Sequence, residues 1–503
     1  MAESAFEPPQ QRESLADSGV NGRILSACFY AAVAVFAIVI VALVYAGWRN
    51  GLDLTTASGT WIALADDLKH GMLYRPMYSE LGFGGTRYFP LHIVLHATLM
   101  KMGLGPEAAG HTLEALAGLT LIFGIYRILR KLRITPLTAI CISVLAMAPQ
   151  ASQIAVLSIR GDLLPAAFVI LGLSFCIGTR VDRRQVLVAS LCFILAFAAK
   201  ATSLYGVGAV ILTFLLYRQL RNAAFLLVAT GLGCAAVVGA TSLASGGRFL
   251  VVMRACAVAA GFHLATGISH LVNIPVLESP VELVFLVLGF AGCIALVLTR
   301  GLTMPAVFFA VTVVSTTITL AADGTNLNHF VDIDVACLIV FAAWLFDERT
   351  KERAFGIAVM VSIAIFASSS ALWSIRHMQG SGYWDFAYSP GLHDAVKFIG
   401  KQDKPILAMH PLLPILAGQR PYLIDAWMLA VVTEKNPGFE QPMLDAIRQR
   451  QFSAIVLEFD LPSKSDGGFN DDIRENYQLV KRFPRVLIFL PKTDAAGGEK
   501  IVN

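Results

Sequence analysis

The residues with the most chemical potential in this sequence stand in short polar stretches between long apolar runs. Arg and Lys can hold an anion, a carboxylate can take a proton from a hydroxyl, and Asn and His can donate and accept hydrogen bonds. The candidates for these roles are Asp66, Asp67, Arg87, Arg160, Asp162, Lys200, Asn328 and His329. Because they are far apart in sequence, only the fold can bring them together.

The composition indicates a protein embedded in a membrane. Of its 503 residues, 56% are hydrophobic and 15% are charged, and the mean hydropathy is +0.66. Soluble domains carry about 25% charged residues. Residues 391–503 hold 14 Lys/Arg and 14 Asp/Glu, so the formal net charge of +4 comes from the rest of the chain. We interpret that excess as an orientation signal and not as affinity for nucleic acid.

Eleven apolar stretches are candidate membrane spans, since a spanning helix needs about 20 apolar residues. They are 25–47, 107–126, 135–150, 163–179, 185–199, 203–217, 223–245, 281–299, 303–321, 331–346 and 354–373. A twelfth stretch, 88–103, is ambiguous. If it does not cross, the basic clusters of the short loops all face the cytoplasm, as the positive-inside rule requires. The pattern therefore predicts eleven spans, a cytoplasmic N-terminus, an extracytoplasmic C-terminus and an interfacial 88–103.

The predicted fold is an α-helical polytopic membrane protein in the cell (inner) membrane, followed by a small extracytoplasmic α/β domain. Its parts are a cytoplasmic segment at 1–24, a membrane body at 25–374 with an outer loop and interfacial helices at 48–106, a linker at 375–390, the α/β domain at 391–492 and a flexible tail at 493–503.

Local patterns add detail on the extracytoplasmic side. Residues 60–70 have the spacing of an amphipathic helix, with Trp61 on the apolar side and the carboxylates of Asp66 and Asp67 facing water. In the C-terminal domain, composition and spacing predict strands and helices. The strands are expected at 405–409, 454–459 and 486–490, and the helices near 392–400, 440–451 and 471–483.

Several short motifs occur in a defined order along the chain. They are Trp61-x-x-x-Ala65, Gly71-x-x-Tyr74, Tyr88-x-Pro90-Leu91, Arg160-x-Asp162, Lys200-x-Thr202, Asn328-His329-Phe330 and Ala417-Gly-Gln-Arg-Pro-Tyr422. This order resembles the GT-C superfamily of membrane glycosyltransferases, among them protein mannosyltransferases and aminoarabinose transferases. The resemblance implies a polyprenyl-phosphate-linked sugar as donor, an extracytoplasmic acceptor and a bilayer that holds the donor lipid.

The resemblance also implies roles for the candidate residues. Transfer from a polyprenyl phosphate expels a phosphate dianion, so cations must meet the developing charge. We expect Arg87, Tyr88, Arg160, Lys200, Asn328 and His329 to bind substrate, and Asp66, Asp67 and Asp162 to be catalytic. Superfamily members usually carry an acid just before the first interfacial aromatic residue, but here that stretch is Ala57-Ser-Gly-Thr60. Asp66 and Asp67 are the favoured substitutes. A divalent cation is compatible with the family, although no motif indicates its ligands.

Other interpretations of the same residues remain open. Arg160 and Asp162 could form a structural ion pair, Lys200 could extend from the end of its span, and Asp332 and Asp334 could be solvated loop residues. The protein could also be a secondary transporter, or a superfamily member that binds a lipid-linked glycan without catalysis. The sequence contains no phosphate-binding P-loop, no Gly-x-Ser-x-Gly and no His-Glu-x-x-His. The alternatives for the acceptor are a lipid, a polysaccharide and a protein.

Overall fold

The structure is a computed structural model. It describes residues 20–50, 56–178, 181–277, 279–325, 327–347, 350, 353–381, 390–403, 405–458, 461, 468–483 and 486–492. The N-terminal residues up to 19 and the predicted tail at 493–503 lie outside the described residues. The last helix of the body extends into the predicted linker at 375–390 as far as Ser381, and 382–389 are also outside.

The helical body consists of helices that follow the apolar stretches of the sequence. They are α1 Val20–Asn50, α2 Thr56–Lys69, α3 Pro90–Lys101, α4 Pro106–Lys131, α5 Pro136–Val144, α6 Gln150–Leu157, α7 Leu163–Cys176, α8 Arg183–Ala199, α9 Tyr205–Leu216, α10 Leu220–Ala244, α11 Arg248–Ala259, α12 Leu264–Leu277, α13 Pro280–Arg300, α14 Met304–Leu320, α15 Val331–Leu345 and α16 Arg353–Ser381.

The body confirms the prediction of a polytopic helical membrane protein. Among the described residues, six helices are long and apolar enough to cross a membrane, or up to eight if each of two bent helix pairs counts as one span. Shorter apolar helices, including α7 and α14, accompany them. Each of the eleven predicted stretches contains a helix, and the number of helices that cross stays a prediction.

Helix α3 lies in the stretch that the charge pattern assigned to the interface. It has 12 residues, which at 1.5 Å per residue corresponds to about 18 Å, well short of the roughly 30 Å hydrocarbon core. It packs against α2 and α4. Its length therefore agrees with an interfacial position.

Helices α11 and α12 occupy a stretch to which the sequence assigned no span. They meet at 78°, and Gly261 lies between them with a φ of +70°, a value that glycine adopts without steric cost. Arg248 and Arg254 interrupt the apolar run, so hydropathy alone gave no sign of this pair. Helix α11 packs against the C-terminal domain, which makes it part of the surface that carries the domain.

Small residues allow the body helices to approach closely, as is typical of membrane helix packing. Helix α13 packs along α15, and a Cβ at Gly289 of α13 would lie 2.5 Å from the Cys337 Sγ of α15. Helix α7 packs in the same manner between α4 and α8. These contacts fix the ends of α7, α8 and α15, from which the candidate site is built.

The C-terminal domain contains a four-stranded sheet with helices around it. Two short strands, β1 Tyr78–Ser79 and β2 Gly82–Phe83, form a hairpin in the body; the domain adds β3 Ile406–Ala408, β4 Ala454–Leu457, β5 Tyr477–Phe483 and β6 Val486–Pro491. The domain's helices are α17 Pro390–Ile399, α18 Leu412–Leu416, α19 Ala426–Lys435, α20 Gln441–Arg448 and α21 Phe469–Asn476. The strand order is β3-β4-β6-β5, with β3 and β4 parallel and the other pairs antiparallel.

The three predicted strands of this domain are confirmed, and the helix predicted at 471–483 is wrong in its second half. Helix α21 ends at Asn476, and β5 continues from Tyr477 to Phe483. Pro484 disfavours a helical conformation at the residue before it. The pairing of Phe483 with Val486 places the two strands in a hairpin, a tertiary contact that outweighs the helical spacing of the side chains.

The domain docks onto one end of the helical body, which we call the domain face; it is marked by α2 and the β1–β2 hairpin. The Phe83 N–H donates to the Tyr422 carbonyl at 2.9 Å, and the Ile424 N–H donates to the Phe83 carbonyl at 3.2 Å. The fully buried Arg75 donates to the Pro421 carbonyl at 2.7 Å. The motif at 417–422 is thus a docking segment in this structure.

Candidate functional site

Four of the candidate residues meet in one hydrogen-bonded cluster at the domain face. Lys200 Nζ donates to Asp162 Oδ1 at 2.7 Å, and Asn328 Nδ2 donates to Asp162 Oδ2 at 3.0 Å. Lys200 Nζ also lies 3.3 Å from His329 Nδ1. An ammonium group can only donate, so Nδ1 accepts and the imidazole is neutral, with its proton on Nε2. We call Asp162, Lys200, Asn328 and His329 the polar cluster.

Arg160 adds a second positive group to the edge of the polar cluster. Its Nε lies 4.0 Å from Asp162 Oδ2. The side chain of Asp162 is only 7% exposed, whereas those of Arg160 and Lys200 are 25% and 21% exposed. The carboxylate is therefore enclosed, and the two cations retain surface through which an anion can reach them.

The loop that carries Arg160 and Asp162 is held by a buried carboxylate of α4. Glu114 Oε1 accepts the backbone N–H groups of Arg160 at 3.2 Å and Gly161 at 2.7 Å. The same oxygen lies 3.0 Å from His92 Nε2 of α3. Glu114 and His92 are completely buried. Leaving a buried backbone N–H group without an acceptor is costly, so the hydrogen bonds to Glu114 Oε1 hold the loop in place.

Gly161 gives this loop its shape. Its φ is +68°, in the left-handed region that favours glycine. A Cβ at this position would lie 2.8 Å from the indole of Trp61 and 3.2 Å from His92. The Arg-Gly-Asp order therefore has a steric cause: glycine lets the loop press against Trp61 while the side chains on either side point to the cluster.

The other members of the polar cluster stand at helix ends. Lys200 is the first residue after α8, and Asn328 and His329 lie in a 3-10 turn, Leu327–Phe330, that leads into α15. The apolar faces of these helices pack in the body, so that their polar ends are left at the domain face. The hydropathy of the sequence therefore predicts that polar residues at the ends of the apolar stretches lie at the ends of the body helices.

The charges around Asp162 determine its protonation state. Burial by itself would raise the pKa of this carboxyl, but the positive charge of Lys200, the largest opposing influence, together with Arg160 holds the pKa below its ordinary value of 3.8. Asp162 is thus a stable carboxylate that neutralises part of the charge of Lys200.

Arg87 and Tyr88 border the polar cluster without a hydrogen bond to it. The Arg87 guanidinium donates to the carbonyls of Asp323 at 3.1 Å and Gly324 at 3.4 Å, and it lies 5.0 Å from the ring centroid of Trp427 in the C-terminal domain. Tyr88 stacks on Trp61 with ring centroids 4.1 Å apart. Arg87 therefore connects the last loop of this face to the C-terminal domain.

Asp66 and Asp67 stand apart from the polar cluster, and they do not face water as the amphipathic pattern predicted. Asp67 is 1% exposed. It binds Arg75 through both oxygens, at 2.5 and 2.6 Å, and its Oδ1 also accepts from Arg420 at 2.7 Å. Asp66 is buried beside His70, and this burial raises the pKa of its carboxyl. The C-terminal domain covers this side of α2, which the sequence pattern of α2 could not indicate.

Asp425, which the sequence analysis did not single out, also lies near the site. Its carboxylate caps α19 by accepting the Met428 N–H at 2.9 Å, and the charge of Arg87 acts on it. Burial raises the pKa of Asp425 to about 6, although the backbone hydrogen bonds and Arg87 act in the opposite direction. Its position before a helical segment, as an Asp at the N-cap, was a usable signal.

Glu114 was a second residue that the sequence analysis missed. It is an acidic residue within a stretch otherwise suited to a span, and a charge at such a position is a functional-site hypothesis by default. The usable signal was therefore present. Within the described part of the chain, no group of three or more His, Cys, Asp or Glu side chains is arranged to hold a metal ion.

We predict that replacing Glu114 by Ala frees the Arg160–Asp162 loop. The backbone N–H groups of Arg160 and Gly161 would lose their acceptor, so their hydrogen exchange should accelerate by at least about tenfold, the equivalent of a loss of about 1.4 kcal/mol. Hydrogen exchange of the segment 157–163, followed by mass spectrometry, measures this acceleration. Glu114→Gln retains an acceptor oxygen and should preserve protection, as should the control Glu107→Gln in the same helix. Equal exchange in wild type and Glu114→Ala would contradict the role.

We predict a pH-dependent difference between the wild type and Asp425→Asn. The folded pKa of Asp425, about 6, is raised above the ordinary 3.8. The contribution of Asp425 to the free energy of unfolding is therefore complete below pH 3.8, and it is lost as the pH rises through about 6. Asparagine still caps α19 and does not titrate. Relative to the variant, the wild type should lose up to about 3 kcal/mol of unfolding free energy between pH 4 and 7. Chemical denaturation of both proteins at pH 4 and pH 7 measures this loss. A difference in unfolding free energy between the two proteins that does not change with pH would contradict the prediction.

Comparison with known proteins finds likeness in structure only. No protein-family model and no curated protein matches the chain. The crystal structure of ArnT from Cupriavidus metallidurans bound to undecaprenyl phosphate is similar at a TM-score of 0.62 and 13% identity, over 92% of this chain and 99% of that one. The same protein in the apo state has a TM-score of 0.54 and 14% identity over the same shares.

A second protein has the same architecture. The Archaeoglobus fulgidus oligosaccharyltransferase, solved in complex with zinc and sulfate, matches at a TM-score of 0.52 and 12% identity over 84% of this chain and 67% of that one. ArnT, an aminoarabinose transferase, and the oligosaccharyltransferase are both GT-C glycosyltransferases. Identities this low establish the fold alone. The chain is a multi-pass membrane protein with a GT-C-like fold.

Proposed function

We propose that this protein is a membrane glycosyltransferase that moves a sugar from a polyprenyl-phosphate donor to an extracytoplasmic acceptor. The observation that carries the proposal is the polar cluster with Arg160, in which two partly exposed cations flank a buried carboxylate at the domain face. The GT-C-like fold and a fold neighbour crystallised with undecaprenyl phosphate support the same conclusion.

Lys200 and Arg160 are suited to the phosphate of the donor. In the structure described, the cation of Lys200 is balanced by Asp162 and that of Arg160 has an acidic neighbour only at 4.0 Å. Arg offers a planar fork of donors and Lys a mobile point charge. As the bond between the sugar and the phosphate oxygen breaks, the phosphate gains a second negative charge, and both cations stabilise it more strongly than they stabilise the donor.

The remaining candidate residues surround the place that the sugar would occupy. The neutral His329 carries a proton on Nε2 and Asn328 an amide, both of which can bond hydroxyls. Tyr88, stacked on Trp61, offers an aromatic face beside them. Arg87 reaches the same region from the hairpin side. We assign these four residues to substrate binding, with Asp162 as the carboxylate that orients Lys200 and Asn328.

The assignment of Asp66 and Asp67 changes in this proposal. Both oxygens of Asp67 are engaged by Arg75 and Arg420, an arrangement that supports docking of the C-terminal domain. The charges that act on the Asp66 carboxyl are those of His70, Asp67, Lys69 and Arg420. None of these residues belongs to the polar cluster. We therefore assign both residues to the body–domain junction.

The apolar helices provide the environment that a polyprenyl chain requires. Large apolar side chains are exposed along the body, among them Leu187 and Leu191 on α8 and Leu212 on α9, close in sequence to Lys200. Burial of each CH₂ group contributes about 0.8 kcal/mol, so a long lipid gains most of its binding energy there. By the positive-inside rule, the domain face is the extracytoplasmic side of the inner membrane.

Secondary transport is the alternative from another functional class, and the polar contacts count against it. Transporters bind their substrates near the middle of the bilayer, often between internal repeats. Here the polar cluster joins residues that follow or precede helices: Asp162 before α7, Lys200 after α8, and Asn328 and His329 before α15. This position suits chemistry at the membrane surface.

We predict that Lys200→Met weakens binding of undecaprenyl phosphate. A hydrogen bond to a charged group contributes about 1.5–3 kcal/mol, so the Kd should rise roughly 10- to 100-fold. Titration of the protein in nanodiscs with labelled undecaprenyl phosphate measures it. The matched control is Lys101→Met, at the exposed C-terminal end of α3, which should bind as the wild type does. Equal affinity for all three proteins would contradict the proposal.

A further inference from the structure

The proposed transfer releases a proton from the acceptor hydroxyl, and none of the carboxylates predicted as catalytic is well placed to accept it. Asp66 and Asp67 belong to the body–domain junction. Asp162 has one oxygen bonded to Lys200 and the other to Asn328. A general base needs an accessible lone pair and a pKa suited to receive the proton, and Asp162 has neither, since nearby cations hold its pKa low.

Asp332, which the sequence favoured as a solvated loop residue, lies beside the polar cluster instead. It is in the first turn of α15, and the charges of both Lys200 and Asp162 act on it. It follows His329 by three residues, a separation that brings side chains to the same side of a helical turn.

Tyr205 holds this carboxylate in place and leaves part of it available. The Tyr205 hydroxyl, at the start of α9, donates to Asp332 Oδ1 at 2.7 Å. Among the described residues, no hydrogen bond reaches Oδ2. Asp332 is half-buried, in contrast to Asp162. One oxygen is therefore fixed by a neutral donor, while the other can reach a ligand.

We infer that Asp332, oriented by Tyr205, is the general base that takes the proton of the acceptor hydroxyl; this inference rests on the proposed function. The acceptor oxygen forms a bond to the anomeric carbon of the sugar as the bond from that carbon to the phosphate oxygen breaks. The electron pair of the broken bond stays on the phosphate, beside Lys200 and Arg160. The hydroxyl proton moves to Asp332 Oδ2 and later leaves to water.

The neighbouring Asp334 is a different kind of residue, although the two stand on the same helix. Asp334 is 1% exposed, and its charged neighbours are Glu282 and Asp332. It points into the contact between α15 and the rest of the body. The two carboxylates that sequence spacing had grouped together are thus separated by the helical turn, and of the two only Asp332 retains exposed surface.

Asp332→Asn is the variant that tests this role, because asparagine still accepts the Tyr205 hydrogen bond. The donors are mannosyl- and aminoarabinosyl-phosphoundecaprenol, labelled in the sugar. The acceptors are a membrane lipid extract and peptides. We expect kcat to fall at least about 100-fold, the KM for the donor to stay within about threefold, and the acidic limb of the pH profile to disappear. Tyr205→Phe should shift that limb with a smaller loss of kcat.

The matched control is Glu80→Gln, an exposed carboxylate of the turn between β1 and β2, which should retain turnover. A kcat for Asp332→Asn within threefold of wild type would overturn the inference, as would a parallel loss of donor binding and turnover. Failure of the proposed function has a different signature. In that case the wild type binds the donor lipid and transfers no sugar, which overturns the transferase and the base together.

Discussion

The buried carboxylate of Glu114 is the interaction on which the arrangement of the site depends. It stands in a helix of the membrane body and accepts two backbone N–H groups from the loop that leads to Asp162. A buried acceptor without partners would cost several kcal/mol, so these hydrogen bonds hold α4 and the loop in one position relative to each other. Asp162 then positions Lys200 and Asn328, and Lys200 reaches His329. One acidic residue in an apolar helix thereby fixes side chains from three other elements.

A second network attaches the C-terminal domain to the domain face. Asp67 bonds Arg75 and Arg420 at once, and Arg75 also binds a carbonyl of the docking segment. Removing one member of such a buried ionic group leaves an uncompensated charge, which costs about 3–5 kcal/mol. The C-terminal domain is therefore a fixed part of the domain face. Through Trp427 it also contacts Arg87, so that it borders the region assigned to the substrate.

The sequence was sufficient for the features that depend on local pattern. Hydropathy indicated the body helices, and the alternation of apolar runs indicated the three strands of the C-terminal domain; the interfacial position of α3 stays a prediction. Asp162, Lys200, Asn328 and His329 were chosen because they are polar residues at the ends of predicted spans and belong to the ordered motifs, and the structure brings them together. Features that depend on distant contacts could not be predicted. The domain that covers Asp66 and Asp67 is hundreds of residues away, β5 takes its form from pairing with β6, and Asp332 differs from Asp334 only through packing.

In the proposed reaction, Lys200 and Arg160 hold the phosphate of a lipid donor at the domain face. The most direct measurement is a cryo-electron microscopy structure of the protein in nanodiscs with undecaprenyl phosphate. We expect a phosphate oxygen within about 3 Å of Lys200 Nζ and near the Arg160 guanidinium, as is usual for charge-assisted hydrogen bonds, with the lipid chain along the body helices. A phosphate bound elsewhere, with Lys200 still bonded only to Asp162 and His329, would contradict it.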